Sequence, residues 1–175
     1  MMSAPMAAVS RPKARGMLFI HSAPAALCPH LEWAAGSVLT DTVDFAWTDQ
    51  PAEPRTRRTE VSWSGEAGNG AALASKLASF DRVRFEVTED ATPGSDGQRF
   101  CFTPSLGAFS ATVGVHGDIL ISEDRIKQAI VSEAVGGEPI HQALASLMGT
   151  PWDDELDTFR YASEDAPIRW LHQVV

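Results

Sequence analysis

The step of the hydrophobic pattern changes along residues 17–90 in an order that few folds accommodate. Residues 17–22 form a short apolar run beside a turn-forming Ala-Pro pair and read as a strand. Pro29 suits the first turn of a helix, where its missing N–H costs nothing. Leu31, Ala34, Ala35, Val38 and Leu39 then mark one face at helical spacing. Val43, Phe45 and Trp47 alternate with Asp44, Ala46 and Thr48, the pattern of a half-buried strand. Residues 50–58 hold two prolines and several charges, and read as a loop. Val61 and Trp63 centre a strand at 59–64. Leu73, Leu77 and Phe80 line a second helix, and Val83, Phe85 and Val87 a fourth strand. The order β-α-β-β-α-β is that of the split βαβ, ferredoxin-like folds, an antiparallel sheet with helices on one face.

An internal echo points the same way. Asp41, Val43, Phe45 and Thr48 return forty positions later as Asp81, Val83, Phe85 and Thr88, and Trp33-Ala34 falls on Leu73-Ala74. Two pseudo-symmetric βαβ halves would produce this, as would coincidence between two strand-like stretches.

The remainder, 91–175, reads as an extension of that core. Residues 99–103 and 109–115 suggest a hairpin with its turn near 104–107, followed by a short strand at 119–121. Ser122 with Glu123 and Asp124 starts a helix that Gly136-Gly137 stops. Ile140, Leu144, Leu147 and Met148 mark another, and Thr150-Pro151 opens a third. Residues 168–174 are expected to close the chain as a final strand. The expected organisation is a disordered tail at 1–15 and one α+β domain at 16–175, with its ferredoxin-like half at 16–90.

Charge narrows the partners. The −9 of the whole chain becomes −12 once the three positive charges of the tail (Arg11, Lys13 and Arg15) are set aside. Such a body repels nucleic acid and anionic membrane surfaces. No apolar stretch approaches the ~20 residues of a membrane span. Two cysteines in 175 residues do not make a disulfide scaffold. A cytoplasmic protein is expected, with no cofactor, no resident metal, and an oligomeric state that the sequence does not specify.

Four constellations could carry chemistry. His21, Cys28 and His30 cluster where the first strand meets the first helix. Cys and His can bind zinc, and a cysteine at a helix N-terminus can be a nucleophile, but the spacing matches no zinc pattern, and ordinary packing explains these residues as well. Gly68, Asn69 and Gly70 lie in a glycine-rich strand-to-helix turn whose amides could hold a phosphate, or simply turn the chain. Asp153, Asp154, Glu155 and Asp157 could bind a cation, yet acids are stabilising at a helix start without any function. Asp153 and Asp157 share a face, and Arg160 can neutralise them from within the helix. Five tryptophans complete the set. Trp47 and Trp63 fall on apolar strand faces, whereas Trp33 and Trp152 lie in helices, where an exposed indole beside acids would suit a protein-binding hot spot.

The stretches His21-Ser22-Ala23-Pro24, Leu27-Cys28-Pro29-His30 and Glu32-Trp33-Ala34-Ala35-Gly36 resemble an actinobacterial family known as domain of unknown function 3145. Arg84-Phe85-Glu86-Val87-Thr88-Glu89-Asp90, Gly94-Ser95-Asp96-Gly97, Trp152-Asp153-Asp154-Glu155-Leu156 and Trp170-Leu171-His172 extend the likeness over nearly all of 16–174. The family has no assigned activity. Its genetic neighbourhood implies an accessory role near acyl-CoA carboxylase and fatty-acid synthesis. Three function classes therefore stay open. The leading one is a non-enzymatic, protein-binding accessory or regulatory module that uses Trp33, Trp152, Asp153, Asp154 and Glu155. The others are a small enzyme built on Cys28, His21 and His30, and a small-ligand sensor.

Overall fold

The computed structural model describes residues 12–162. The expected closing strand at 168–174 and the Trp170-Leu171-His172 stretch lie outside the described residues. The elements are β1 (Lys13–Pro24), α1 (Cys28–Gly36), β2 (Thr48–Asp49), β3 (Thr56–Glu66), α2 (Asn69–Leu77), β4 (Arg84–Glu89), β5 (Gly97–Thr103), β6 (Gly107–Val113), β7 (Ile119–Leu120), α3 (Glu123–Ala134), α4 (Ile140–Met148) and α5 (Thr150–Arg160). The strands form one sheet in the order β2-β3-β1-β4-β5-β6-β7. Every neighbouring pair is antiparallel. The described chain is thus an α+β fold with a seven-stranded antiparallel sheet and five α-helices.

Strand alternation divides the sheet into two unlike faces. On one face Leu18, Ile20, Val61, Trp63, Phe85 and Val87 meet Leu31 and Ala35 of α1 and Leu73 and Leu77 of α2. Most of these side chains are entirely out of water, each Val, Leu, Ile or Phe contributing about 1.5–3 kcal/mol by burial. Gly16 permits the tight pairing here. A Cβ at that position would strike the Thr88 carbonyl and the Trp63 ring. On the other face a smaller cluster of Cys101, Phe109, Ala111 and Leu156 packs with Trp152 and Ile119, and α5 lies against β1 and β5.

α1 and α2 share one face of the sheet, and α5 of the C-terminal extension takes the opposite face. Two expectations need correction. The strand expected at 43–48 shrinks to β2, which pairs only through Thr48–Arg58 and Asp49–Arg57. Val43, Phe45 and Trp47 still pack half-buried against the core, so their alternation reports burial without a hydrogen-bonded ladder. Finally, β1 begins at Lys13 and pairs Lys13 to Arg15 with β3, so these three residues belong to the sheet and not to a tail.

Candidate functional site

A β-bulge builds the polar face. β1 carries one extra residue between Ile20 and Ser22 relative to β4, and between Ile20 and Ala23 relative to β3. Bulges re-aim side chains. Here the bulge leaves His21 and Ser22 both buried, His21 bonded to Glu86 and Ser22 to Glu53. Gln50 pins it, its side-chain amide donating to the His21 carbonyl (2.5 Å) and to the Phe159 carbonyl at the end of α5 (3.2 Å).

Glu86 of β4 sits at the centre and is 1% exposed. His21 Nε2 lies 2.7 Å from its Oε1. From β5, the Arg99 guanidinium reaches its Oε2 at 2.9 Å. From α5, Arg160 donates to its Oε1 through two nitrogens at 3.0 and 2.5 Å. The same two arginines converge on Asp153, Arg99 at 2.5 Å and Arg160 at 2.9 Å, and Arg160 also holds Asp157 at 2.7 Å. Alongside runs a second chain of contacts. Arg84 bridges Glu53 and Glu155, each at 3.1 Å, and stacks 4.4 Å above the Phe159 ring. Ser22 donates to Glu53, and Ser105 to Glu155.

Burial by itself would raise the Glu86 carboxyl. The His21 hydrogen bond and the charges of His21, Arg160 and Arg99 outweigh it and hold Glu86 well below the usual carboxylate range. Glu155, also partly desolvated, is lowered by its bonds from Ser105, Thr103 and Arg84. The thiol of Cys101, 3.8 Å from Glu86, is pushed up by burial and by that neighbouring charge. Arg99 and Arg160 are raised despite their burial by the carboxylates around them. Each strong acceptor therefore meets a charged donor, and the arrangement acts as a clamp holding α5 on the sheet. It offers no reactive thiolate.

The residues singled out in the sequence are dispersed. His21 commits its Nε2 to Glu86, Cys28 Sγ faces the Pro24 carbonyl at 3.9 Å, and His30 is exposed on α1. Burial, opposed by Arg57, raises the Cys28 thiol, the reverse of nucleophile activation. Among the described residues no group of three or more His, Cys, Asp or Glu is placed to hold a metal ion. At the glycine-rich turn the Glu89 carboxylate accepts from the Gly68 and Gly70 amides, both at 2.8 Å, so a carboxylate of the chain itself stands where a phosphate would bind. Gly70 also admits that carboxylate sterically, since a Cβ there would fall 2.8 Å from Glu89 Oε2.

The acidic helix is mostly turned inward. Asp153 and Glu155 serve Arg99, Arg160 and Arg84, and Trp152 donates to the Gly107 carbonyl (2.9 Å) and packs on Phe109. Asp154 is exposed. Trp33 stands out at 73% exposed, although its helix neighbour Glu32 accepts from Trp47 Nε1 at 2.6 Å.

Glu86, Arg99 and Arg84 escaped the sequence reading because strand alternation places them on the polar side, where charged residues are ordinarily solvated. One signal was available. Asp153, Asp157 and Arg160 recur at one helix face, and a helix with both a charged stripe and buried Leu156 and Phe159 needs charged partners beneath it.

A shallow cleft of about 390 Å³ adjoins Arg99, lined among others by Thr88, Gln98, Val113 and Ile119. A family model described as "Protein of unknown function (DUF3145)" matches residues 17–173. No curated protein and no solved structure matches the chain significantly.

Proposed function

We propose that this chain, which belongs to the family described as Protein of unknown function (DUF3145), is a non-catalytic protein-binding module that serves acyl-CoA carboxylation or fatty-acid synthesis. The observation that carries the binding reading is Trp33, an indole left 73% exposed on the outer side of α1. Tryptophan is enriched among the few residues that carry most of the binding energy at protein interfaces. Nearby, Phe45 and Trp47 stack with ring centroids 5.8 Å apart and are only half-buried, which enlarges the apolar surface around that helix. The raised Cys28 thiol weighs against the thiol-enzyme alternative. The link to acyl-CoA chemistry rests on the family resemblance.

The ferredoxin-like description of residues 16–90 belongs to this proposal too. It is supported by the order β2-β3-β1-β4 with α1 and α2 packed together on one face.

The test is affinity purification of the tagged chain from its native host, in parallel with a Trp33→Ala chain. The expected result is stoichiometric recovery of a carboxylase or fatty-acid synthase subunit, which Trp33→Ala loses. A preparation clean of partners at low salt, or a partner retained by Trp33→Ala, would overturn the reading.

A further inference from the structure

We infer that the outer face of the α3–α4 hairpin is a second docking surface, and that its occupant is an amphipathic helix of another protein with basic flanks. This goes beyond the Trp33 surface, because α3 and α4 join the body on the α5 side of the sheet. In α3 only Ala129 is buried, and α4 buries none of its residues. Ile130, Val131 and Val135 are 49%, 62% and 80% exposed. With exposed Ala134 they widen the apolar surface from Ile130, one turn after half-buried Ile126, round to Val131 on the solvent side and to Val135 just past the helix end. A surface helix normally confines its apolar residues to the stripe that faces its own core. The solvent-facing part of this surface needs a separate explanation. On α4, Ile140, Leu144 and Leu147 are half-buried and Met148 is 44% exposed. The two helices contact each other, so the hairpin has the apolar composition of surfaces that receive a helix through anchors at i, i+3, i+4 and i+7.

Charge selects the occupant. Across 122–141 four carboxylates (Glu123, Asp124, Glu133 and Glu138) stand against two cations (Arg125 and Lys127), and with Glu123 and Lys127 paired at 2.5 Å the remaining Asp124, Glu133 and Glu138 outnumber Arg125 by two. The whole chain is at −9. A second copy would bring like charge to like charge, and an anionic bilayer would be repelled. A helix with lysine or arginine beside its apolar face gains from both features.

The test uses the full chain and two synthetic amphipathic helical peptides that share one leucine face. One has lysine at its polar positions and the other glutamate. Binding is followed by fluorescence anisotropy, and the mass of the chain by sedimentation. Ile130→Gln with Val131→Gln removes the two large exposed apolar side chains of α3 while keeping good helix formers and unchanged charge. The lysine peptide is expected to bind, to weaken as salt rises, and to lose at least about tenfold in affinity to the double variant. Trp33→Ala is expected to leave this binding unchanged, which separates the two surfaces. Equal binding of the glutamate peptide, no binding of the lysine peptide, or an unchanged affinity in the double variant would overturn the inference. So would a dimer that the double variant converts to monomer, since the occupant would then be a second copy.

Discussion

The two faces of one sheet solve the same problem with opposite chemistry. Beneath α1 and α2, Leu18, Ile20, Phe85 and Val87 exclude water by apolar packing alone. Beneath α5, the alternate positions of the same strands bring His21, Glu86 and Arg99, which are buried because α5 supplies Asp153, Asp157 and Arg160 in return. Apolar packing tolerates small adjustments of position. An ionic cluster tolerates loss of no single member, because the remaining charges are left desolvated. The α5 face therefore gains less from its burial and is the more sensitive to loss of one partner.

Phe85 and Glu86 are chain neighbours on opposite faces, and they allow this contrast to be broken at either side. Phe85→Ala should cost about 3–5 kcal/mol through a cavity. Glu86→Gln should cost a similar ~3–5 kcal/mol by removing the buried charge that His21, Arg99 and Arg160 share, leaving the two arginines only Asp153 and Asp157 in a desolvated site. Urea titrations at neutral pH measure both, and a loss under about 1 kcal/mol for Glu86→Gln would mean that the Glu86 cluster does not hold α5 on the sheet.

Acid separates the two faces further. The folded Glu86 carboxyl lies well below its unfolded value, which is about 4.3, so between those values the unfolded chain holds more protons than the folded one. The stabilisation is complete above the unfolded value and is lost as pH falls through the folded one. Stability of the parent chain should thus drop steeply below about pH 4, with Glu155 contributing in the same sense. Glu86→Gln should flatten that acid slope, whereas Phe85→Ala should lower stability by a constant amount at each pH.

Smaller effects refine the geometry. Gly149, the left-handed link between α4 and α5 (φ 82°), carries no Cβ that could meet the Phe109 ring. Gly149→Ala should cost about 1–3 kcal/mol and loosen α5. Lys127→Ala on the exposed α3 surface should change stability by less than about 0.5 kcal/mol, since its ion pair with Glu123 is solvated.

The apolar face was the legible one. Alternation at Val61–Trp63 and Val83–Phe85–Val87 and the helical stripe of Leu73 and Leu77 all reappear in the core. Pro29 and Pro151 mark helix starts as expected. The echoed segments instead diverge. Residues 83–88 contribute to a strand flanked on both sides, β4, while 43–48 lies at the sheet edge, where only Thr48 and Asp49 find ladder partners. Periodicity reports which side chains turn inward, not which backbone groups are paired. The clamp was hidden for a related reason. A charged residue on a polar strand face looks solvated until the covering helix is known, and α5 docks through residues more than fifty positions away from Glu86 and Arg99 in sequence.

The most direct test of the clamp is a double-mutant cycle between Glu86→Gln and Arg160→Met, read as unfolding free energies in urea. Strong coupling is expected, on the order of 1–3 kcal/mol, because each substitution removes the other's partner. Losses that add to within about 0.5 kcal/mol would mean that Glu86 and Arg160 act independently, and that α5 is held to the sheet by Leu156, Phe159 and Trp152 instead.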